Sequence, residues 1–130
     1  MSRPKKPTQN VTVELTKRAL ADLREIERYS VKEWGRKTAN KYLDDITAAL
    51  DRLSDDPEIL RLEPDVAPGL FFYRVKKHFL VCDYQKETVI VLTVIHTSMD
   101  LSARLLEIEP RLVAESQIFQ NKLHKNSDQD

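Results

Sequence analysis

Val11-Thr12-Val13-Glu14-Leu15 alternates apolar and polar side chains, the two-residue period of a strand with one buried face. Thr16 follows as a helix N-cap candidate. From there Ala19, Leu23, Ile26 and Tyr29 recur at steps of four and three and, with Leu20, form one apolar stripe. Gly35 is the natural stop. A second stripe runs through Ala39, Tyr42 or Leu43, Ile46, Ala49 or Leu50, and Leu53, and Asp55-Asp56-Pro57 ends it. Two helices of roughly 18 residues joined by so short a turn must run antiparallel, as a helical hairpin.

Residues 54–69 hold Pro57, Pro64, Pro68 and Gly69 and read as a long connecting loop. Three strand-like runs follow, Leu70 to Lys76, Phe79 to Tyr84 and Val89 to Ile95, joined at Lys76-Lys77-His78 and at Gln85-Lys86-Glu87-Thr88. Joints this short predict an antiparallel meander, which the N-terminal strand joins. Several strand positions are apolar in succession, so both sheet faces are expected to be covered in part. Residues 99–109 read as a short helix. Leu112, Ser116, Phe119 and Leu123 have helical spacing and predict another over 110–124. The expected organisation is a flexible arm over 1–10, an α+β domain over 11–109, the extra helix, and a disordered tail over 125–130.

Composition narrows what this fold does. Hydrophobic residues are 41% of the 130, enough for one core, and aromatics only 7%, so aliphatic side chains fill most of it. Lys and Arg number 21, as do Asp and Glu, so the whole-chain field gives no general grip on phosphates. The single cysteine, Cys82, permits no intrachain disulfide and fits a reducing compartment such as the cytoplasm. No apolar run follows the basic N-terminal residues as a signal peptide would, and none approaches the roughly 18 residues of a membrane span. Only two glycines are present, which excludes a glycine-rich phosphate cradle, and no Cys or His pair has metal-ligand spacing. Neither a metal nor a cofactor is expected.

Several residues are candidates for a site. His96 closes the last long strand, where a rigid sheet aims a side chain outward. It is either an acid–base group or a residue that bonds the following turn, helped by Thr97, Ser98 or Asp100. Arg74, Lys76, Lys77 and His78 cluster at a strand turn, as a seat for phosphate or an acidic partner, or as a solvated tip that protects a sheet edge. Trp34 sits at the hairpin tip, to anchor a partner or to close the hairpin end. Phe71, Phe72 and Tyr73 are consecutive, so either Phe72 or the pair Phe71 and Tyr73 faces away from the hairpin. That outward face is a docking surface or is covered by the C-terminal helix. The charges at Glu25, Glu27, Arg28, Lys32, Asp44, Asp45 and Arg52 read as solvated helix faces, and Cys82 as a small buried hydrophobe.

The order of elements, with Leu15-Thr16, Ala19, Asp22-Leu23, Ile26 and Tyr29 opening the first helix, Pro68-Gly69-Leu70 leading into a strand, and His96-Thr97-Ser98-Met99-Asp100-Leu101 closing the last, resembles the RelE/ParE toxin superfamily over residues 11–106. The ending is similar to that of ParE-like members. The resemblance implies the toxin of a type II toxin–antitoxin, or plasmid stabilisation, module in the cytoplasm. It implies a ParD-like antitoxin that covers the toxin's sheet and hairpin, contacted through Trp34, Phe71, Tyr73, Arg74 and Lys76. It also implies action by binding DNA gyrase, through His96, Met99, Asp100 and Arg104, with no direct DNA contact except through the antitoxin and no membrane. The alternatives are a RelE-like ribosome-dependent mRNA endonuclease using His96, Arg74 and His78, and a non-toxic interaction module. The long hairpin, the neutral charge, and Ser98 where RelE-type nucleases carry an arginine favour the ParE-like branch, which inhibits by binding. The chain departs from that branch at Cys82-Asp83, where Tyr-Arg is common, at Thr93, where a basic residue is common, and in its longer tail beyond Glu109.

Overall fold

The computed structural model describes residues 11–64 and 66–127. Strand β1 (Thr12–Leu15) leads into helices α1 (Lys17–Trp34) and α2 (Arg36–Asp55). A 3-10 turn (Pro57–Ile59) and strands β2 (Arg61–Leu62), β3 (Phe71–Val75), β4 (His78–Gln85) and β5 (Thr88–His96) follow, and α3 (Leu101–Ser127) ends the described chain. The sheet order is β1-β5-β4-β3-β2, with β1 parallel to β5 and the other neighbours antiparallel. This is the expected α+β arrangement of strand, helical hairpin, meander and C-terminal helix.

Local chemistry explains the boundaries. The Thr16 hydroxyl accepts the Ala19 amide at 3.1 Å and donates to the Leu92 carbonyl at 2.9 Å, so one side chain caps α1 and ties it to β5. Gly35 turns the hairpin at φ +90°, a conformation that strains any side chain. Ser54 and Val11 exchange two hydrogen bonds, of 2.9 and 2.7 Å, that clip the end of α2 to the start of β1. The two-residue turn between β4 and β5 places Lys86 and Glu87 at φ 47° and 64°, the left-handed pair that matches strand twist.

The sheet is buried on both faces. Ile46, Ala49 and Leu53 of α2 pack with Leu80, Cys82, Val89, Val91 and Val94 on one side. Leu105, Ile108 and Leu112 of α3 pack with Phe72, Val81, Ile90, Leu92 and Ile95 on the other. An irregularity in the β4–β5 register makes this possible: Val81 faces Thr93 while Cys82 faces Val91, which leaves Leu92 as the extra residue of a bulge. Residues 89 and 91 face the hairpin, and after the bulge it is residue 94 that does.

Four expectations change. The two C-terminal helices are one, running through Pro110. The loop over 54–69 contains a 3-10 turn and a two-residue edge strand. Tyr29 leaves the α1 stripe for solvent, and the buried Ser30 faces inward beside the half-buried Ile26. The backbone of 125–127, expected in the tail, belongs to α3, whereas 1–10 and 128–130 lie outside the described residues. Among the described residues no helix is long and apolar enough to cross a membrane.

Candidate functional site

The polar end of the sheet forms where the β3–β4 turn meets the end of β5. His78 and His96 are cross-strand partners, and their rings meet edge to face with centroids 4.9 Å apart. Tyr42, from α2, places its hydroxyl 2.5 Å from His78 Nδ1 and accepts the Lys77 amide at 3.2 Å. The Thr97 amide donates to the Lys77 carbonyl at 2.8 Å, closing the ring of contacts between turn and strand end.

One hydrogen bond fixes the tautomer of His96. A neutral imidazole has one donor nitrogen and one acceptor. The Ser98 amide can only donate, so His96 Nδ1, 2.9 Å away, accepts and the proton sits on Nε2. At His78 the direction follows the tautomer: burial raises the Tyr42 pKa and keeps it a phenol, and its hydroxyl also reaches the Val75 carbonyl at 3.5 Å. Burial, reinforced by the neighbouring His96, lowers the His78 pKa from 6.5 to about 4. With its proton on Nε2, His96 has no free lone pair there, so its ring offers substrate a base only by first breaking the Nδ1 contact. The same tautomer opposes metal ligation through Nε2, and among the described residues no three His, Cys, Asp or Glu side chains group as a metal site would.

Two cations at this end make contacts of their own. Arg74 Nε donates to the Lys76 carbonyl at 2.8 Å, and Lys76 Nζ lies 3.2 Å from Asp45. Asp45, read from sequence as a solvated charge, is thereby the partner of the turn. Of the ending residues, Asp100 caps α3 through the Ala103 amide at 3.1 Å, Arg104 pairs with Glu107 at 3.6 Å, and Met99 is exposed.

The remaining candidates do not converge. Trp34 is 56% exposed and meets only the edge of the equally exposed Tyr29, so it does not close the hairpin end. Phe71 and Tyr73 turn toward the hairpin and are half-buried, whereas Phe72 faces α3 and is fully covered. Beside Tyr73 and Arg74 a groove of about 690 Å³ opens along the sheet edge, floored by Phe72, Phe79 and Val66 and rimmed by Arg61, Glu58 and Glu63. Strand β2 pairs only with Phe71 and Phe72, so from Tyr73 onward the edge of β3 away from β4 has no strand beside it among the described residues.

Sequence reading missed three polar ties. Asp22 accepts from Thr93 Oγ1 at 2.5 Å and from the Val94 amide at 3.0 Å, sealing the β5 edge beyond the end of β1. Arg18 forks onto Glu115, and that hydrogen bond raises its pKa. Asp83 accepts from Ser116 at 2.5 Å. Asp83 and Thr93 are two of the positions where the chain departs from its resemblance, and both are spent on these ties. Cys82, beside Asp83, is fully buried, which pushes its thiol pKa up and leaves it inert.

Known proteins resemble this chain in sequence and in fold. The profile of a family described as the ParE toxin of the type II toxin–antitoxin system parDE matches residues 13–101. A Toxin ParE of Escherichia coli is 31% identical over 94 residues, 72% of this chain and 91% of that protein. A structure of the chromosomal ParDE toxin–antitoxin system from P. aeruginosa superposes with a TM-score of 0.61 at 18% identity, covering 69% of this chain and 99% of that one. The RelBE2 toxin–antitoxin complex from Mycobacterium tuberculosis superposes at 0.50 with 21% identity, over 72% and 97%.

Proposed function

Because the chain belongs to the ParE toxin family of type II toxin–antitoxin systems, we propose that it arrests growth by binding DNA gyrase and is held inactive by a ParD-like antitoxin. Binding is favoured over RNA cleavage by one observation. His96 accepts the Ser98 amide at Nδ1 and so holds its proton on Nε2. Cleavage through a 2′-hydroxyl needs a base, an acid and free cations on the phosphate. Here the candidate base is tied to a turn amide, and Lys76 is paired with Asp45.

The antitoxin surface we infer is the groove beside β3. The sheet edge there offers main-chain groups to an extended segment, and Arg61 and Arg74 favour one that carries carboxylates. Phe71 and Tyr73 support this surface from the hairpin side, and Trp34 stands apart as a separate anchor. His96, Met99, Asp100 and Arg104 line the turn into α3, which we assign to the target. The module would act in the cytoplasm and stabilise the replicon that carries it.

Induced expression tests the reading. Filamentation, an SOS response and inhibited supercoiling in vitro are expected, with relief by a short ribbon-helix-helix-type protein encoded next to the toxin. Messenger RNA cut on ribosomes would instead support the endonuclease reading, and harmless induction would sink the toxin reading. Arg74→Glu should weaken the antitoxin complex about tenfold or more.

A further inference from the structure

The joint between β3 and β4 is the pair Lys76 and Lys77, and Lys76 holds φ 51°. Glycine is the usual occupant of a left-handed position in so tight a turn, so a lysine there is strained. Such strain persists only where surrounding contacts over-determine the backbone, and it gathers at functional sites. Four ties supply the constraint here. Lys76 Nζ lies 3.2 Å from Asp45, and the Lys76 carbonyl accepts from Arg74 Nε at 2.8 Å. The Lys77 amide donates to the Tyr42 hydroxyl at 3.2 Å, and the Lys77 carbonyl accepts the Thr97 amide at 2.8 Å.

Two of these ties come from α2, where Tyr42 and Asp45 share one face of the helix and both reach the turn. Tyr42 reaches further. Two routes lead from its hydroxyl to the turn that follows β5. One runs through Lys77, whose carbonyl takes the Thr97 amide. The other runs through His78 Nδ1, 2.5 Å away, and the His78 ring, which meets the His96 ring edge to face. His96 then takes the Ser98 amide at Nδ1, at 2.9 Å, and the Met99 amide at its carbonyl, at 3.1 Å. Ser98, Met99 and Asp100 are exposed, whereas Tyr42, His78 and His96 are half-buried. The exposed turn thus stands on a base that α2 fixes.

We propose that Tyr42 is a positioning residue for the turn over 96–100: through Lys77 and His78 it holds the backbone that presents Met99 and Asp100. That this turn meets the toxin's target rests on the reading above; the hold itself does not. The ring and the hydroxyl of Tyr42 have separate duties. The ring meets His78 edge to face at 5.4 Å and packs against the hairpin-side core, and a phenylalanine would keep both contacts. Only the hydroxyl reaches Lys77 and His78. A surface held in its bound shape before contact loses less freedom on binding, so removing the hydroxyl should weaken action on the target while the fold stands.

Tyr42→Phe in the full chain is the test. Nitrogen NMR of the natural protein should show His96 as the Nε2–H tautomer. In Tyr42→Phe, His96 should average between tautomers, and the Thr97, Ser98 and Met99 amides should shift and exchange about tenfold faster. The β5 amides should keep their protection, which reports an intact sheet. Inhibition of gyrase supercoiling should weaken about tenfold. Asp45→Asn, which releases Lys76 but leaves both routes from Tyr42 in place, should move the same three amides less. The proposal is overturned if Tyr42→Phe leaves the signals of residues 96–99 unchanged, or if β5 loses protection along with them. It is equally overturned if Asp45→Asn moves them as far, or if Tyr42→Phe loosens the turn yet inhibits as before. A natural protein inert toward gyrase would count against the gyrase reading alone, and the NMR comparison would still decide whether Tyr42 holds the turn.

Discussion

The two faces of the sheet are covered by elements of different standing. On the hairpin side two helices contribute Ala19, Ile46, Ala49 and Leu53, all at or below 2% exposure, and further contacts pin both ends of the hairpin to strands. Thr16 and Asp22 bond β5 directly, and Ser54 bonds Val11. On the other side one helix contributes a single stripe and two rim ties. Both interiors are mainly aliphatic, so burial alone does not distinguish them. The difference is the number of independent attachments that must fail before a face is exposed.

The largest predicted effect divides the two faces. Ile46→Ala should cost about 3–4 kcal/mol in urea unfolding, since it opens a cavity under a hairpin tied to β1 and β5. Leu112→Ala removes a side chain of similar size that is equally buried, yet should cost about 1–2 kcal/mol, because α3 can detach locally before the core unfolds. Equal losses would break the comparison.

Thr16→Ala comes next, at about 1–2 kcal/mol, because one hydroxyl both caps α1 and bonds the Leu92 carbonyl. Hydrogen exchange should show α1 and β5 loosening together while α3 keeps its rate.

Acid should act on the hairpin side through His78. Its pKa falls from 6.5 unfolded to about 4 folded, so between those values the unfolded chain binds more protons. The stabilisation is complete above pH 6.5, is lost as pH falls toward 4, and is constant below. With the ring partly open to solvent the loss is about 2 kcal/mol. Urea midpoints across that window measure it, and His78→Gln should flatten the slope. The smallest effect belongs to the exposed Glu25–Arg28 pair, where Glu25→Ala should change stability by less than about 0.5 kcal/mol.

Wherever one side chain sufficed to specify a boundary, the sequence was readable. Thr16 and Gly35 bracket α1, and the two-residue joints at 76–77 and 86–87 force the meander. Tyr29 misled because Ala, Leu and Ile share its spacing, while its neighbour Ser30 is small enough to sit where the helix meets the sheet. Tyr42 carried a usable signal: a phenol in an otherwise aliphatic stripe needs a polar partner when buried. The identity of that partner, His78, was not readable, since 36 residues separate them.

The chain's own pattern thus determined the elements, their order and the antiparallel pairings, because periodicity, caps and tight turns act over a few residues. Only the tertiary structure decided what lies between distant residues. It set the bulge at Leu92 that flips the strand's phase, a feature that an unbroken apolar run conceals. It made His96 a hydrogen-bond acceptor for the turn, and it gave Asp83, Thr93 and Arg18 partners on other elements. Those outcomes depend on which groups lose water together, and loss of water is a property of packed neighbours, not of sequence spacing.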